Sequence, residues 1–536
     1  MIYINQFLFN TYNQIRKLYL NSYFYDKKIS KTDNKELIYK PSPHLLSSLL
    51  KYQKKKIKIE DFSLDEIWSN KNLDYKEFRN LNNFYWFFSL DLKSSKKASQ
   101  AVILKWINNN QKYNHKSWNF DLTAKRIIAW LSCYNLTYID SNQNYKDNFN
   151  KIIKKQTNHL INEIYKSKFI DDKLIGCAAI ILVGLCYKNE KNYLTTGCSN
   201  LKEISKFTLD DSGFPKSRSI KQLIFYLKYF ILIREWFRES QNNIPEHIEE
   251  TIYHLGQCYA FTWQNSGSNF LFNGNNNSNN FDFDNYLKRL GYKFKNEVHD
   301  CGGYVFLKNK KISLMMDCGS TPSPKYTKDY QAGTLSFEII SNGKKLISNC
   351  GYYKRSNLAL NKLSKSTAAH STLVIDDNSS CTFSKVKRFL TIKKGLKVIK
   401  RQNSFEKNYW NIKASHDGYY KKYNSNHERE IEFYPEQMTF IGIDKIIKKK
   451  NYRNYKFDIR FHFEPNVKLM KTQDNKKILI QLEDQGWKFT CDNYNINIDN
   501  GLYFGNKNSH TNNQNIFING ISNNQVESIK WKIEKI

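Results

Sequence analysis

The sequence predicts an α+β protein of two domains, helical first and antiparallel β second. Three observations predict it. The chain has 536 residues, more than one ordinary core encloses. Up to about residue 290, apolar residues recur at three- and four-residue spacing, the period of helices with one buried face. Beyond that point the period changes to two, as in strands.

Within residues 1–290, PHLLSSLLKYQ, TAKRIIAWLSCYN, LIGCAAIILVGLCYKN and SIKQLIFYLKYFILIREWF carry the helical spacing. They follow one another with short polar connections and without strand alternation. Helix on helix in an antiparallel array, bundle or toroid is the expected arrangement. Trp118, like Trp86 and Trp130, is either a core anchor or a groove-lining ring. The run QNSGSNFLFNGNNNSNNFDFD, Gln264 to Asp284, is rich in Gly, Ser and Asn and reads as a loop. Within residues 291–536, GGYVFLKNKKISLMMDCG, TLSFEIISNGKKLISNCG, HSTLVIDD, KKGLKVIKRQ, FDIRFHFEPNVKLMK and KKILIQL read as strands. Their alternation predicts an antiparallel β-sandwich.

Lys and Arg number 84 against 50 Asp and Glu, a formal charge of +34. A field of that sign concentrates polyanions near the surface: an acidic polysaccharide, a nucleic acid or an anionic membrane. The bland alternative is solvated surface charge in a Lys- and Asn-rich text. No nucleic-acid module is recognisable, and the basic runs KYQKKKIKIE and IDKIIKKKNYRNYK are short and scattered. No specific nucleic-acid partner is therefore expected. Ten cysteines without a CxxC pair do not make a disulfide scaffold. The most apolar interior run, Ile175 to Cys186, is too short to span a bilayer. Polar residues interrupt the N-terminal MIYINQFLFNTYNQIRKLYLN, so no secretory signal is evident and the cytoplasm stays open.

Eleven histidines are present, and six lie in the strand-rich part. Four of these form the informative grouping: His370 in STAAHSTLVIDD, His416 in SHDGYYKKY, His427 in NSNHEREIEF and His462 in IRFHFEP. Tyr304 follows in CGGYVFL. At strand starts and rims, a rigid sheet can hold such groups toward a cleft. Imidazole and phenol together suit proton transfer. β-Elimination beside a carboxylate needs a base, an acid and a group that stabilises the intervening anion. Each histidine also has a structural reading, as a buried hydrogen-bonding group. A metal reading is a third: no HExxH spacing occurs, and His370 and His416 would meet at a zinc only through folding. Asp376 and Asp377 open a turn. In DDSGFPKSRS and the helix after it, Lys216, Arg218 and Lys221 either clamp sugar carboxylates or sulfates or form a solvated helix entry.

YQAGTLSFEIISNGKKLISNCG, STAAHSTLVIDD, SHDGYYKKYNSNHEREIEF and FDIRFHFEPNVK, in that order over roughly residues 295–500, resemble the C-terminal domain of the heparinase II/III-like polysaccharide lyases. WNFDLTAKRIIAWL, GCAAIILVGLC and DDSGFPKSRSIKQLIFYL extend the resemblance upstream. It implies an incomplete (α/α) toroid at 1–290, a β-sandwich at 291–536 and a site between them. It also implies eliminative cleavage of a uronate-containing polysaccharide, a carbon–oxygen lyase reaction, by a bacterial protein of the cell envelope or periplasm. In such lyases an Asn or His of the helical domain neutralises the carboxylate, a Tyr is base or acid, and a His at the position of His370 assists. His416 and His462 match other recurrent positions. Some members hold a structural zinc in the sheet domain, and no other cofactor is implied. This sequence departs in the helical half. No Asn-His stands near Lys173, and the tyrosine position falls near Lys221. The expected catalytic set is therefore His370, Tyr304, Tyr253 and His416. The expected substrate contacts are Arg218, Lys221, Trp118 and His462. The alternative is a protein that binds an anionic glycan without cleaving it, or an envelope scaffold that kept only the fold.

Overall fold

The structure is a computed structural model that describes residues 2–31, 36–50, 68, 73–90, 95–263, 269–277, 281–296, 298–354, 357–386, 389–449, 453–506 and 509–536. The basic run at 51–60, and parts of the stretches at 43–53, 264–284 and 443–456, lie outside the described residues. A helical region comes first and an antiparallel sheet region follows. The compact units do not follow a single cut. One comprises Met1–Thr208, Tyr226–Ile252 and Asp282–Gly291, the other Leu209–Phe225, Tyr253–Phe281 and Tyr292–Ile536.

In the helical unit, the helix Ile170–Cys186 lies against Phe120–Ser132, Gln143–Glu163 and Lys191–Thr208. Its IGCAAIILVGLC segment is apolar on nearly every side and correspondingly buried, as expected of a helix enclosed by others. Asn142 caps Gln143–Glu163 by accepting the Tyr145 N–H at 2.8 Å, which satisfies one of the donors a helix start leaves open. Among the described residues no helix is long and apolar enough to cross a membrane.

Among the described residues the sheet unit holds four antiparallel sheets. The first runs Asp300–Cys301, Tyr304–Lys308, Ile312–Asp317, Phe337–Ser341 and Lys344–Ile347 in spatial order. An eight-stranded sheet is ordered Lys468–Lys471, Lys477–Leu482, Gln485–Cys491, Val526–Lys535, Thr439–Lys448, Ser425–Tyr434, Trp410–His416 and Val398–Phe405. A third is ordered Ile496–Tyr503, Thr511–Ser522, Tyr455–His462 and Leu373–Ile375, and a hairpin pairs Thr382–Val386 with Phe389–Lys394. Along SNHEREIEFY every second residue is buried, so the period-two pattern converts directly into one core face. The faces meet in a shared aromatic core. Phe337 stacks on Trp531 at 5.4 Å between ring centres, and Phe461 meets the same indole edge-on at 5.0 Å. Three sheets thus contribute to one interior, the sandwich arrangement.

Candidate functional site

The segment Leu209–Ser219 belongs to the sheet unit. Asp210 shapes it: one carboxylate oxygen accepts from the Ser212 N–H at 3.0 Å, the Ser212 hydroxyl at 2.7 Å and the Phe214 N–H at 2.8 Å. Such Asx geometry turns a chain tightly. The turn delivers Arg218, whose backbone is left-handed at φ 61°. Its guanidinium donates to the Gly302 carbonyl at 3.1 Å, the Gly303 carbonyl at 3.1 Å and the Gly319 carbonyl at 3.0 Å. It also pairs with Asp317 at 2.6 Å. The glycines are required here. A Cβ on Gly319 would stand 2.3 Å from the Arg218 Cζ, and one on Gly303 would stand 2.9 Å from its Nε. Tyr304 completes the cluster. Its hydroxyl donates to the Arg218 carbonyl and accepts from the Asn273 amide, each at 2.6 Å. Burial alone would lower the guanidinium's pKa. The Asp317 carboxylate outweighs it and holds Arg218 above its ordinary value. Burial pushes the Tyr304 phenol up.

Over this cluster opens a cleft of about 610 Å³. Gly302, Gly303 and Gly319 line it, together with Lys216, Tyr326, Lys400 and Arg401. Lys216 is half-buried, while Lys400 and Arg401 are exposed. Arg401 pairs with Asp300 at 2.5 Å. The Ser320 hydroxyl accepts the Val398 N–H at 2.9 Å and ties one wall to the other. A rim of cations can hold a carboxylate or sulfate. The Tyr326 phenol supplies a proton-bearing group inside the same space.

The histidines lie elsewhere. His370 is 1% exposed. Its Nδ1–H donates to the Ser366 carbonyl at 2.8 Å, while Nε2 faces Gly333 and has no partner among the described residues. Burial lowers its pKa to about 4, so the ring is neutral at pH 7. His462 is enclosed by the Asn515 side chain at 2.9 Å, the Ala368 carbonyl at 2.9 Å and the Cys350 thiol at 3.2 Å. Burial lowers it to about 3. His416 is buried, accepts the Gly418 N–H at 3.0 Å on Nδ1 and stands edge-on to His427. Burial and the His427 and Arg429 charges lower its pKa. The structure therefore brings Arg218 and Tyr304 together. Arg218 lines the cleft with its guanidinium held by the glycine carbonyls and Asp317, and Tyr304 is buried behind it. Tyr253 is exposed on the helix Glu246–Trp263, with His254 beside it. Lys221 is exposed in the first turn of Ile220–Glu239. Trp118 is a core residue of the helical unit, its indole N–H donating to the Asn110 carbonyl at 3.1 Å.

Residues 297–532 match the family model described as heparinase II/III-like, C-terminal. In fold and in this domain the chain is heparinase II/III-like. A heparinase III with methylated lysines superposes with a TM-score of 0.71 at 12% identity, covering 92% of this chain and 83% of that one. Another heparinase III gives 0.69 at 14%, covering 96% and 88%. The heparan sulfate lyase HepC from Pedobacter heparinus gives 0.66 at 12%, covering 95% and 85%. At such identities the likeness is one of fold. No curated protein sequence matches the chain.

In this heparinase-like chain, sequence reasoning missed Tyr326, Lys400 and Arg401 as cleft residues. KVIKR reads as an ordinary charged strand, and only the folded loop at 318–326 places a phenol opposite it. Of the metal reading, the structure sets His416 beside His427. Asp444, their acidic neighbour, is taken by His427 at 2.7 Å, by Arg429 at 2.8 and 2.9 Å, and by the Trp531 N–H at 2.9 Å. Among the described residues no three His, Cys, Asp or Glu side chains group as metal ligands.

Proposed function

We propose that this heparinase-like chain is a carbon–oxygen lyase of the cell envelope or periplasm acting on an acidic, uronate-containing polysaccharide, and that the basic cleft receives the sugar acid. The observation that carries the reading is the cleft itself, a cationic rim around one phenol in a chain with the lyase fold. Elimination removes the proton from the carbon bearing the carboxylate. It leaves a double bond to the neighbouring carbon as the glycosidic oxygen departs and takes up a proton. Lys400 and Arg401 beside the carboxylate stabilise the charge that develops there, and Tyr326 carries the proton. A second reading, binding without cleavage, is favoured by a specific observation. His370 is enclosed, and the Tyr304 hydroxyl and Arg218 guanidinium are engaged in the framework.

Purified protein incubated with heparan sulfate, other uronate polymers and a neutral glucan separates the two. The lyase reading expects new ultraviolet absorbance from unsaturated uronate ends with at least one acidic polymer. Tight binding without that absorbance leaves the second reading. Neither binding nor product removes both.

A further inference from the structure

A second, larger cavity lies in the sheet unit, about 800 Å³ in volume. It shares Ser320, Pro322 and Val398 with the first cleft, so the two spaces adjoin across one wall. Its charge is one-sided. Lys393 and Lys394 at the end of the hairpin, Lys397 after them, and Lys421 and Lys422 on a helical turn line it, with Asp417 the acid among its lining residues. All five ammonium-bearing residues are exposed. Asp417 accepts the Lys397 N–H at 2.6 Å and sets one negative charge against the five positive ones.

The floor discriminates between kinds of polyanion. Tyr419 is 1% exposed and its hydroxyl donates to the Leu373 carbonyl at 2.8 Å. Tyr423 is also buried, its hydroxyl accepting from Asn378 at 2.7 Å. These two rings are edges of the core, and the exposed Tyr420 in the same lining carries the Lys449 ammonium over its ring at 4.7 Å, whereas a single-stranded nucleic acid needs free faces to stack on. The lining between the lysines is instead small and hydrogen-bonding, with Asn378, Ser379, Ser380 and Thr382. Hydroxyl-rich units carrying spaced acidic groups match that surface.

We infer that this cavity is a second anion subsite, and that the ligand is an acidic oligosaccharide long enough to occupy both spaces. The inference rests on the proposed function for the first cleft and adds the length of the ligand. A chain engaging two adjoining subsites gains affinity through the linkage alone. Each ammonium contact adds to the salt dependence.

The test uses the full chain, size-graded heparan sulfate oligosaccharides from the disaccharide upward, and the variant K393Q/K394Q/K421Q/K422Q. The replaced side chains are exposed, and an unchanged melting curve checks the fold. Wild-type affinity is expected to climb with oligosaccharide length and then level. The variant is expected to lose the climb, about tenfold or more at the longest length, with the shortest ligands unaffected. An identical length dependence in both proteins overturns the inference, as does an equal loss at every length. Displacement of the oligosaccharide by a polynucleotide at lower concentration overturns its choice of ligand. If wild type binds short ligands without any gain from length, this inference falls and the proposed function stands. If it binds no acidic glycan at all, both fall.

Discussion

Replacing Arg218 by Met tests whether that guanidinium is framework or clamp. Methionine keeps most of the side-chain length and removes every donor. Asp317, 1% exposed, then keeps a buried charge without its cation, and breaking one side of such a pair costs about 3–5 kcal/mol. The carbonyls of Gly302, Gly303 and Gly319 lose their donors too. Those glycines line the cleft, so water can replace the lost bonds and adds little to the cost. The sum is about 4 kcal/mol, a large share of a typical domain's stability. Asp317→Asn is expected to cost less, since the Arg218 charge keeps three carbonyl partners. The double variant R218M/D317N is expected to cost less than the two single losses combined. Urea unfolding followed by circular dichroism, with hydrogen exchange read on peptides spanning 300–319, assigns the loss to the sheet unit. An R218M protein that unfolds at the wild-type urea concentration yet no longer binds acidic glycan would refute the reasoning and make Arg218 a substrate clamp.

Acid should weaken the fold through its enclosed imidazoles. Unfolded, His370 takes up a proton near 6.5; folded, it does so only near 4. Between these values the unfolded state binds more protons, so stability falls as pH falls, by about 3 kcal/mol at most. His370→Gln should flatten the urea midpoint against pH between 6.5 and 4; parallel curves would contradict this. Gly442 faces Trp531 across a strand pair, and a Cβ there would lie 1.9 Å from the indole. Gly442→Ala should therefore cost about 1–3 kcal/mol and disturb the Trp531 near-ultraviolet signal, whereas a wild-type spectrum and melt would argue against the packing. Cys258 and Cys301 are buried with their sulfurs 3.4 Å apart. Hydrogen peroxide, reduced to two waters as it takes both thiol hydrogens, should join them in a disulfide found by peptide mapping; two freely alkylated thiols after the treatment would count against that approach.

The change of period near residue 290 was enough to read helices followed by sheets, because a buried face imposes its own repeat on the chain. The resemblance of STAAHSTLVIDD and its neighbours placed the second half in a family. Unit membership was less legible. Leu209–Phe225 and Tyr253–Phe281 group with the sheets, although their composition suits the helical half. The stretch NFLFNGNNN reads as a loop, yet Asn269, Asn273 and Asn275 are buried. Amides can be enclosed when each is paired, and Asn273 finds its partner in Tyr304. The site was least legible for the same reason. Arg218 meets Gly302, Gly303, Asp317 and Gly319 across a separation of 84 to 101 residues. No local spacing announces a contact of that range. The sequence reads His370 as opening a strand; the strand is Leu373–Ile375, and His370 stands before it at the end of the short turn Thr367–Ala369, enclosed by distant segments.

The most direct test of the account compares wild type with K216Q/K400Q/R401Q on an acidic polymer, counting unsaturated uronate ends released per unit time. The account predicts turnover by wild type and a loss of about a hundredfold or more in the variant, at an unchanged melting temperature. Equal turnover by both proteins, or no unsaturated ends from wild type on any uronate polymer, would contradict it.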